Sequence, residues 1–260
     1  MTTTRRGVLA LVGAGALARP SLAQDNWPGR PVRIVVAYPP GGSTDIIARL
    51  LAERLSRAWS QPVVVENRAG AAGTLGADSV AKAAPDGTTL LVAASPEIAI
   101  ARSTQRNLPY DPVRDFEPIT LISESPFLLL VNPQIQARNV TELVALARAQ
   151  PGRMNFASFG TGTSTHLVGE LFRATAGIDI THVPYRGSAP AMTDLIAGQV
   201  QMAFDTIPAG LPHLREGRLR GIAVARAERS PLAPQIPTMA EAGLPGFVGG
   251  TWAALLAPAR

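Results

Sequence analysis

Two stretches of the chain combine glycine with a run of hydroxyl side chains. They are Tyr38-Pro39-Pro40-Gly41-Gly42-Ser43-Thr44-Asp45 and Ser158-Phe159-Gly160-Thr161-Gly162-Thr163-Ser164-Thr165-His166. Each follows a short apolar run and precedes residues at helical spacing, so each marks the passage from a strand into a helix. The first turn of a helix holds backbone N–H groups without intrahelical partners, at the positive end of the helix dipole. Glycine lets a ligand approach that backbone closely, and the chemistry on offer is the capture of an anion such as a carboxylate. For either stretch alone, an ordinary turn with a hydroxyl N-cap fits equally well. Two of them, one in each half of the chain, point to two lobes facing one ligand across a cleft.

Three further groups invite a chemical reading. Asp45 sits in a first helical turn, where a carboxylate favours the dipole and caps the helix, or else meets a ligand ammonium or steers a water. His166 and Glu170 lie four apart on a helix face, the spacing of a metal chelate. No third ligand accompanies them, so hydrogen bonding or packing is the better reading and no metal is expected. Asp205, at the end of an apolar run, either selects a ligand amine or simply ends its strand.

Enzyme motifs fail one by one. The glycines at 70, 73 and 76 follow a strand but have the spacing G-x-x-G-x-x-G, and neither G-x-G-x-x-G nor G-x-x-x-x-G-K occurs. No G-x-S-x-G elbow is present, and Ser164 with His166 two residues on gives poor support for a triad. The chain has no cysteine, which removes thiolate catalysis, cysteine-ligated zinc and disulfides. No cofactor is expected.

The elements that would position the two turns read as alternating strands and helices. A buried strand spans 32–36, and Ile46, Ile47, Leu50, Leu51 and Leu55 place a helix after Ser43. Strands over 62–66 and 88–94 enclose a helix over 74–83, completing a β-α-β-α-β series typical of a sheet covered by helices. Residues 98–117 read as loop plus short helix. Two strand-like runs, 118–123 and 126–131, then lead out of the first lobe. A second series follows: a helix over 141–149, a strand near Asn155, a helix from Ser164 carrying Leu167, Leu171 and Phe172, and a strand over 181–184. Tyr185-Arg186-Gly187-Ser188 opens a helix through Leu195, strands follow over 200–204 and 219–224, a short helix covers 237–247, and an apolar strand covers 251–258.

The first residues concern export. Arg5-Arg6, the apolar run 8–18 and the small residues Ser21 and Ala23 form a secretory signal cleaved before Gln24, with a twin-arginine pattern. Its loss removes three of the 24 basic residues and none of the 19 acidic ones, so the formal charge of +5 falls to a surplus of two. The densest arginine group, Arg215 to Arg229, is interrupted by Glu216 and Glu228 and reads as a solvated face, so no nucleic-acid partner is expected.

The stretches quoted resemble the Bug-type periplasmic solute receptors of the tripartite tricarboxylate transporter family. They are joined in that likeness by Trp27-Pro28, Glu66-Asn67-Arg68, Ala84-Pro85-Asp86-Gly87, Tyr110-Asp111-Pro112, Val183-Pro184-Tyr185-Arg186-Gly187, Gly217-Arg218-Leu219-Arg220 and residues 237–245. The resemblance implies an α/β, two-lobed flytrap fold, each lobe a mainly parallel sheet flanked by helices, with lobe 1 over 24–125 and 249–260 and lobe 2 over 126–248. It also implies a small carboxylate ligand and delivery to a two-subunit integral-membrane permease, with a periplasmic sensing subunit for a membrane kinase as the alternative. First-lobe contacts fall on Tyr38, Gly41, Gly42, Ser43, Thr44 and Asp45. Second-lobe contacts fall on Ser158, Gly160, Thr161, Gly162, Thr163, Ser164 and His166, with Tyr185, Gly187, Ser188 and Asp205 at neighbouring strand ends. Family members continue past the Trp252 strand with helices that complete the first lobe, and here these are expected to be missing. A monomer is the default expectation.

Overall fold

Val32-Arg33-Ile34-Val35-Val36 is rich in β-branched side chains, which lose little rotamer freedom in an extended chain, and it forms strand β1 (Val32–Val36) with all but Arg33 buried. The computed structural model describes residues 27–259, so the export signal expected over 1–23 lies outside the described residues. After β1 come α1 (Ser43–Trp59), β2 (Val63–Asn67), a 3-10 turn at Ala71–Gly73, α2 (Thr74–Ala81) and β3 (Thr89–Ala94). β1 pairs in parallel with both β2 and β3. A wide helical turn, Pro96–Ile100, leaves β3 directly and runs into the short α3 (Ala101–Thr104).

The two strand-like runs expected near 118–131 are a single strand, β4 (Phe116–Val131). Residues 116–126 pair antiparallel with the last strand, β9 (Gly250–Pro258), across two register shifts that bend the ribbon. From Phe127 onward β4 changes partners. The remaining elements are α4 (Val140–Ala149), β5 (Met154–Ser158), α5 (Ser164–Ala176), β6 (Ile180–Pro184), α6 (Ser188–Ile196), β7 (Met202–Thr206), α7 (Ile207–Arg215) and β8 (Arg220–Val224). Residues 127–131 pair antiparallel with β7 and 128–131 with β8. The sheet runs β2-β1-β3-β9-β4-β7-β5-β6, with β8 also on β4. Each half therefore holds three parallel strands; the antiparallel β4 and β9 make the join, and β8 adds an antiparallel strand to the second half.

Alternation along β4 shows how each half is filled. Phe127, Leu129 and Val131 pack with Leu143 of α4 and Phe172 of α5, while Leu128 and Leu130 pack on the other face with Met192 and Leu195 of α6. In the first half, Ile34 and Val92 meet Ala48 of α1, and Val35 and Leu91 meet Ala77 and Val80 of α2. Truncating one such leucine to alanine costs about 2–5 kcal/mol.

Three local expectations change. Helix α7 is not among the expected elements; Pro208 sits in its first turn, where the missing N–H costs nothing, and Pro212 lies inside the helix, where proline argues against one. Residues 237–247 are turns. Thr238 and Glu241 make the reciprocal bonds of a capping box, at 2.7 and 3.1 Å, but Gly243 at φ +98° ends the helix after one turn. Arg220 is half-buried rather than part of a solvated face: its guanidinium donates to the carbonyls of Pro133, Ile135 and Ala137.

Candidate functional site

The first turn is held in shape from behind. Gly41 has φ +94°, a conformation that favours glycine, and Gly42 is the N-cap of α1 with no side-chain capping bond. Asp45 Oδ2 accepts the Gly41 N–H at 3.0 Å and Arg49 Nε at 3.0 Å, and its Oδ1 accepts Asn67 Nδ2 at 2.9 Å. Asn67 Nδ2 also donates to the Tyr38 carbonyl. Burial alone would raise the Asp45 carboxyl, but Arg49, the Gly41 N–H and Asn67 outweigh it and hold the group below its usual range. Asp45 thus braces the turn, and the N–H groups of the α1 start are left for something else.

The second turn is braced by different means. Gly160 and Gly162 have φ of +132° and +82°. Thr163, the N-cap of α5, donates its hydroxyl to the Gly160 carbonyl at 2.6 Å and accepts the His166 N–H at 3.4 Å. His166 Nδ1 accepts the Gly162 N–H at 3.2 Å, and its ring stacks on His182 at 4.1 Å. His182 in turn is hydrogen-bonded to Ser158 Oγ at 2.6 Å, and burial, with His166 beside it, lowers its basicity. His166 Nε2 stands 4.0 Å from Glu170, and among the described residues no cluster of three metal-ligating side chains occurs.

The two turns meet across one cavity. Its walls include Tyr38, Gly42, Ser43 and Thr44 from the first half and Thr163, Ser164 and Ser188 from the second. The halves touch here: a Cβ built on Gly42 would lie 3.7 Å from Ser188 Cβ, and one on Gly187 would fall 2.8 Å from Pro39 Cδ. A Cβ built on Gly162 would likewise lie 3.5 Å from the Thr104 hydroxyl. The cavity therefore receives the starts of α1, α5, α6 and, through Thr206, α7. None of its lining residues is basic. Donors here are backbone N–H groups and hydroxyls, and an anion of modest size is the natural complement.

The remaining expected residues divide by position. Gly41, Asp45, Gly162, His166 and Gly187 stand behind the lining and shape it, as do Ser158 and Asp205. Gly160 and Tyr185 line an adjoining chamber that shares Tyr38, Pro39 and Phe159 with the first. Thr161 is exposed and lines neither. Sequence reasoning missed Pro39, Ala94, Pro96, Phe127 and Phe159, which give the cavity its apolar walls, and Thr165, Thr206 and Thr251 among its polar ones. Thr206 had a signal, since a strand end followed by Ile207-Pro208 reads as a helix start.

Two carboxyls lie buried beside the cavity. Glu97, fully buried, accepts the Ala94 N–H at 2.6 Å and the Tyr38 hydroxyl at 2.8 Å. Burial pushes it up to about 7, against those hydrogen bonds. Asp205, 1% exposed, accepts Ser188 Oγ–H at 2.6 Å and the Thr206 N–H at 2.7 Å, and burial pushes it up to about 6.

Residues 47–260 match the family described as tripartite tricarboxylate transporter family receptor. The chain is similar to protein BugT of Bordetella pertussis, 41% identical over 263 residues that cover 99% of this chain and 80% of BugT. Among solved structures it is similar to R. palustris Rpa4515 with adipate, at 40% identity and a TM-score of 0.87, over 89% of this chain and 78% of that one. It is also similar to the periplasmic binding protein BugD, at 35% identity and a TM-score of 0.85, over 90% and 78% of the two chains.

Proposed function

The chain belongs to the tripartite tricarboxylate transporter receptor family, and we propose that it captures a small carboxylate in the periplasm and presents it to a two-subunit membrane permease. The family is one of receptors rather than enzymes. One observation carries the ligand class: four helix starts, from both halves of the sheet, reach a cavity whose lining includes no basic side chain. A carboxylate there would take charge-assisted hydrogen bonds from backbone N–H groups, each worth about 1.5–3 kcal/mol. In this reading lobe 1 comprises residues 24–125 and 249–260, lobe 2 comprises 126–248, and β4 and β9 are the strands about which they close. The adipate held by Rpa4515 makes aliphatic dicarboxylates the first compounds to try, with acidic amino acids and aromatic carboxylates beside them.

Titration calorimetry of the exported, folded protein against such a panel tests the reading. It expects saturable one-to-one binding of at least one carboxylate and no turnover of it. A folded sample that binds none of them would remove the carboxylate assignment.

A further inference from the structure

A cavity shaped for an anion stands here against a buried carboxyl. Glu97 Oε1 accepts the Ala94 N–H and Oε2 the Tyr38 hydroxyl, and Ala94 and Tyr38 both line the cavity, as does Pro96, the residue before Glu97. One residue therefore separates the carboxyl from the space a ligand would fill. Backbone closes on it from behind: a Cβ built on Gly73 would fall 2.9 Å from Oε2. The titratable groups around Glu97 are Tyr38 and Tyr110, whose hydroxyl donates to the Glu97 carbonyl at 2.6 Å. Asp78 of α2 acts on Tyr110 and is ion-paired with Lys82. Among the described residues no cation bonds to the Glu97 carboxyl or shifts it.

Two carboxylates in one water-poor site repel each other, and one of them is driven to take a proton. The ligand's charge is favoured by the helix starts that point at it. Glu97 has no such support, and burial has already pushed it up to about 7. The proton therefore goes to Glu97. Asp205, behind Ser188 in the other half, follows the same rule at lower pH, since burial pushes it only to about 6.

We infer that the protein captures its carboxylate together with a proton, which Glu97 takes from the solvent as the ligand arrives. The inference rests on the carboxylate reading above and adds the proton as a second ligand of the same site. In the free protein Glu97 is half charged near pH 7, and a negative charge beside it raises its value further. Between about pH 7 and pH 8 the loaded protein then holds more protons than the empty one. Affinity is greatest where Glu97 is already protonated and falls as pH rises through that window.

Titration calorimetry of adipate at pH 8, run in Hepes and in Tris, reads the proton directly, because the two buffers release it with different heats. Carboxylic acids ionise near pH 4 to 5 and bring no proton with them at pH 8. The wild type should take up roughly 0.4 proton per adipate, and its affinity should fall about fivefold from pH 7 to pH 9. Glu97→Gln is neutral at every pH; its uptake should drop below about 0.2 proton and its affinity should change less than about twofold over that range. Asp205→Asn should keep most of the uptake. Should the glutamine variant not fold, the 13C resonance of the Glu97 carboxyl in the wild type takes its place, and adipate should move its titration midpoint up by about one unit. Glutarate, glutamate and benzoate replace adipate if it does not bind. Binding without uptake, or an uptake that survives in Glu97→Gln and so belongs to His166 or His182 behind the second turn, would overturn the inference and leave a carboxylate receptor in place. An unmoved Glu97 midpoint would do the same. Failure of all four compounds to bind the folded wild type would overturn the carboxylate reading and this inference with it.

Discussion

Gly42 and Ser188 face each other across the cavity, one at the start of α1 and one at the start of α6, so closely that a methyl on Gly42 would touch the Ser188 Cβ at 3.7 Å. The contact joins the two halves of the sheet where both present helix starts. Gly42 itself has φ −80° and ψ 170°, which any residue adopts. Its smallness therefore serves the approach of the halves and not the turn's conformation.

Substitutions at Gly42 should act on binding rather than folding. Gly42→Ala makes an ordinary contact and is expected to change carboxylate affinity by no more than about threefold. Gly42→Leu props the halves apart and is expected to weaken it by about 100-fold or more, a loss of roughly 3 kcal/mol. Gly42 is buried where the halves meet, but its backbone suits any residue, so opening of the cleft rather than unfolding should relieve the larger side chain, and both variants should unfold within about 2 °C of the wild type. Calorimetry beside thermal unfolding checks this, and equal affinities for the two variants would count against it.

Gly41 behaves differently because its φ is +94°. Gly41→Ala forces a side chain into a region that L-residues disfavour, at about 1–2 kcal/mol. Urea unfolding should register that cost directly, and a variant as stable as the wild type would show that the turn relaxes.

Asp45 is expected to matter through the turn it braces. Asp45→Ala leaves the Gly41 N–H and one of the two Asn67 amide hydrogens without an acceptor, which costs about 1–3 kcal/mol. Asp45→Asn keeps an acceptor and should lose less. If the alanine variant proves as stable as the asparagine variant, the bracing role is wrong.

Glu97 gives the pH dependence a definite sign. Its folded value of about 7 lies above its ordinary one, so the folded protein holds that proton more tightly than the unfolded chain. The stability it lends is complete below about pH 4 and is lost as pH rises to 7. Glu97→Gln has no such proton to lose. Relative to the wild type, its stability should rise from pH 4.5 to pH 8, by on the order of 3 kcal/mol. Carboxyls held below their usual range, such as Asp45 and Glu66, titrate under that window. Urea melts of both proteins at the two pH values decide it, and parallel profiles would contradict the assignment.

Gly169 sets two effects against each other. Alanine in mid-helix gains about 1 kcal/mol over glycine, but its Cβ would come within 2.2 Å of the ring of Phe156, which is fully buried. Overpacking of this kind costs about 1–3 kcal/mol. The packing term should win, leaving Gly169→Ala less stable by about 1–2 kcal/mol in thermal unfolding; a stabilised variant would mean that Phe156 swings aside.

Much of the site could be read before folding because its signals are local. The glycines at 41, 42, 160 and 162 with the hydroxyls after them announce strand-to-helix turns, and the same local logic places β1, β3 and α5. What escaped was non-local or self-contradictory. Glu97 stood between a strand and the stretch read as loop plus short helix, with nothing to say that it would be buried against Tyr38. Thr206 caps a helix whose interior carries Pro212, a residue that argues against one, and the apolar lining from Ala94, Phe127 and Phe159 depends on pairings between distant strands. The helix expected over 237–247 had a true capping box, but the glycine at 243 closed it after one turn.

Amide chemical shifts of the labelled protein, followed while a bound carboxylate is titrated in, test the central claim most directly. The N–H signals of Ser43 and Thr44 in one half, and of Ser164, Thr165 and Ser188 in the other, should move together and saturate at one equivalent. Shifts confined to one half, or to residues away from these helix starts, would contradict it.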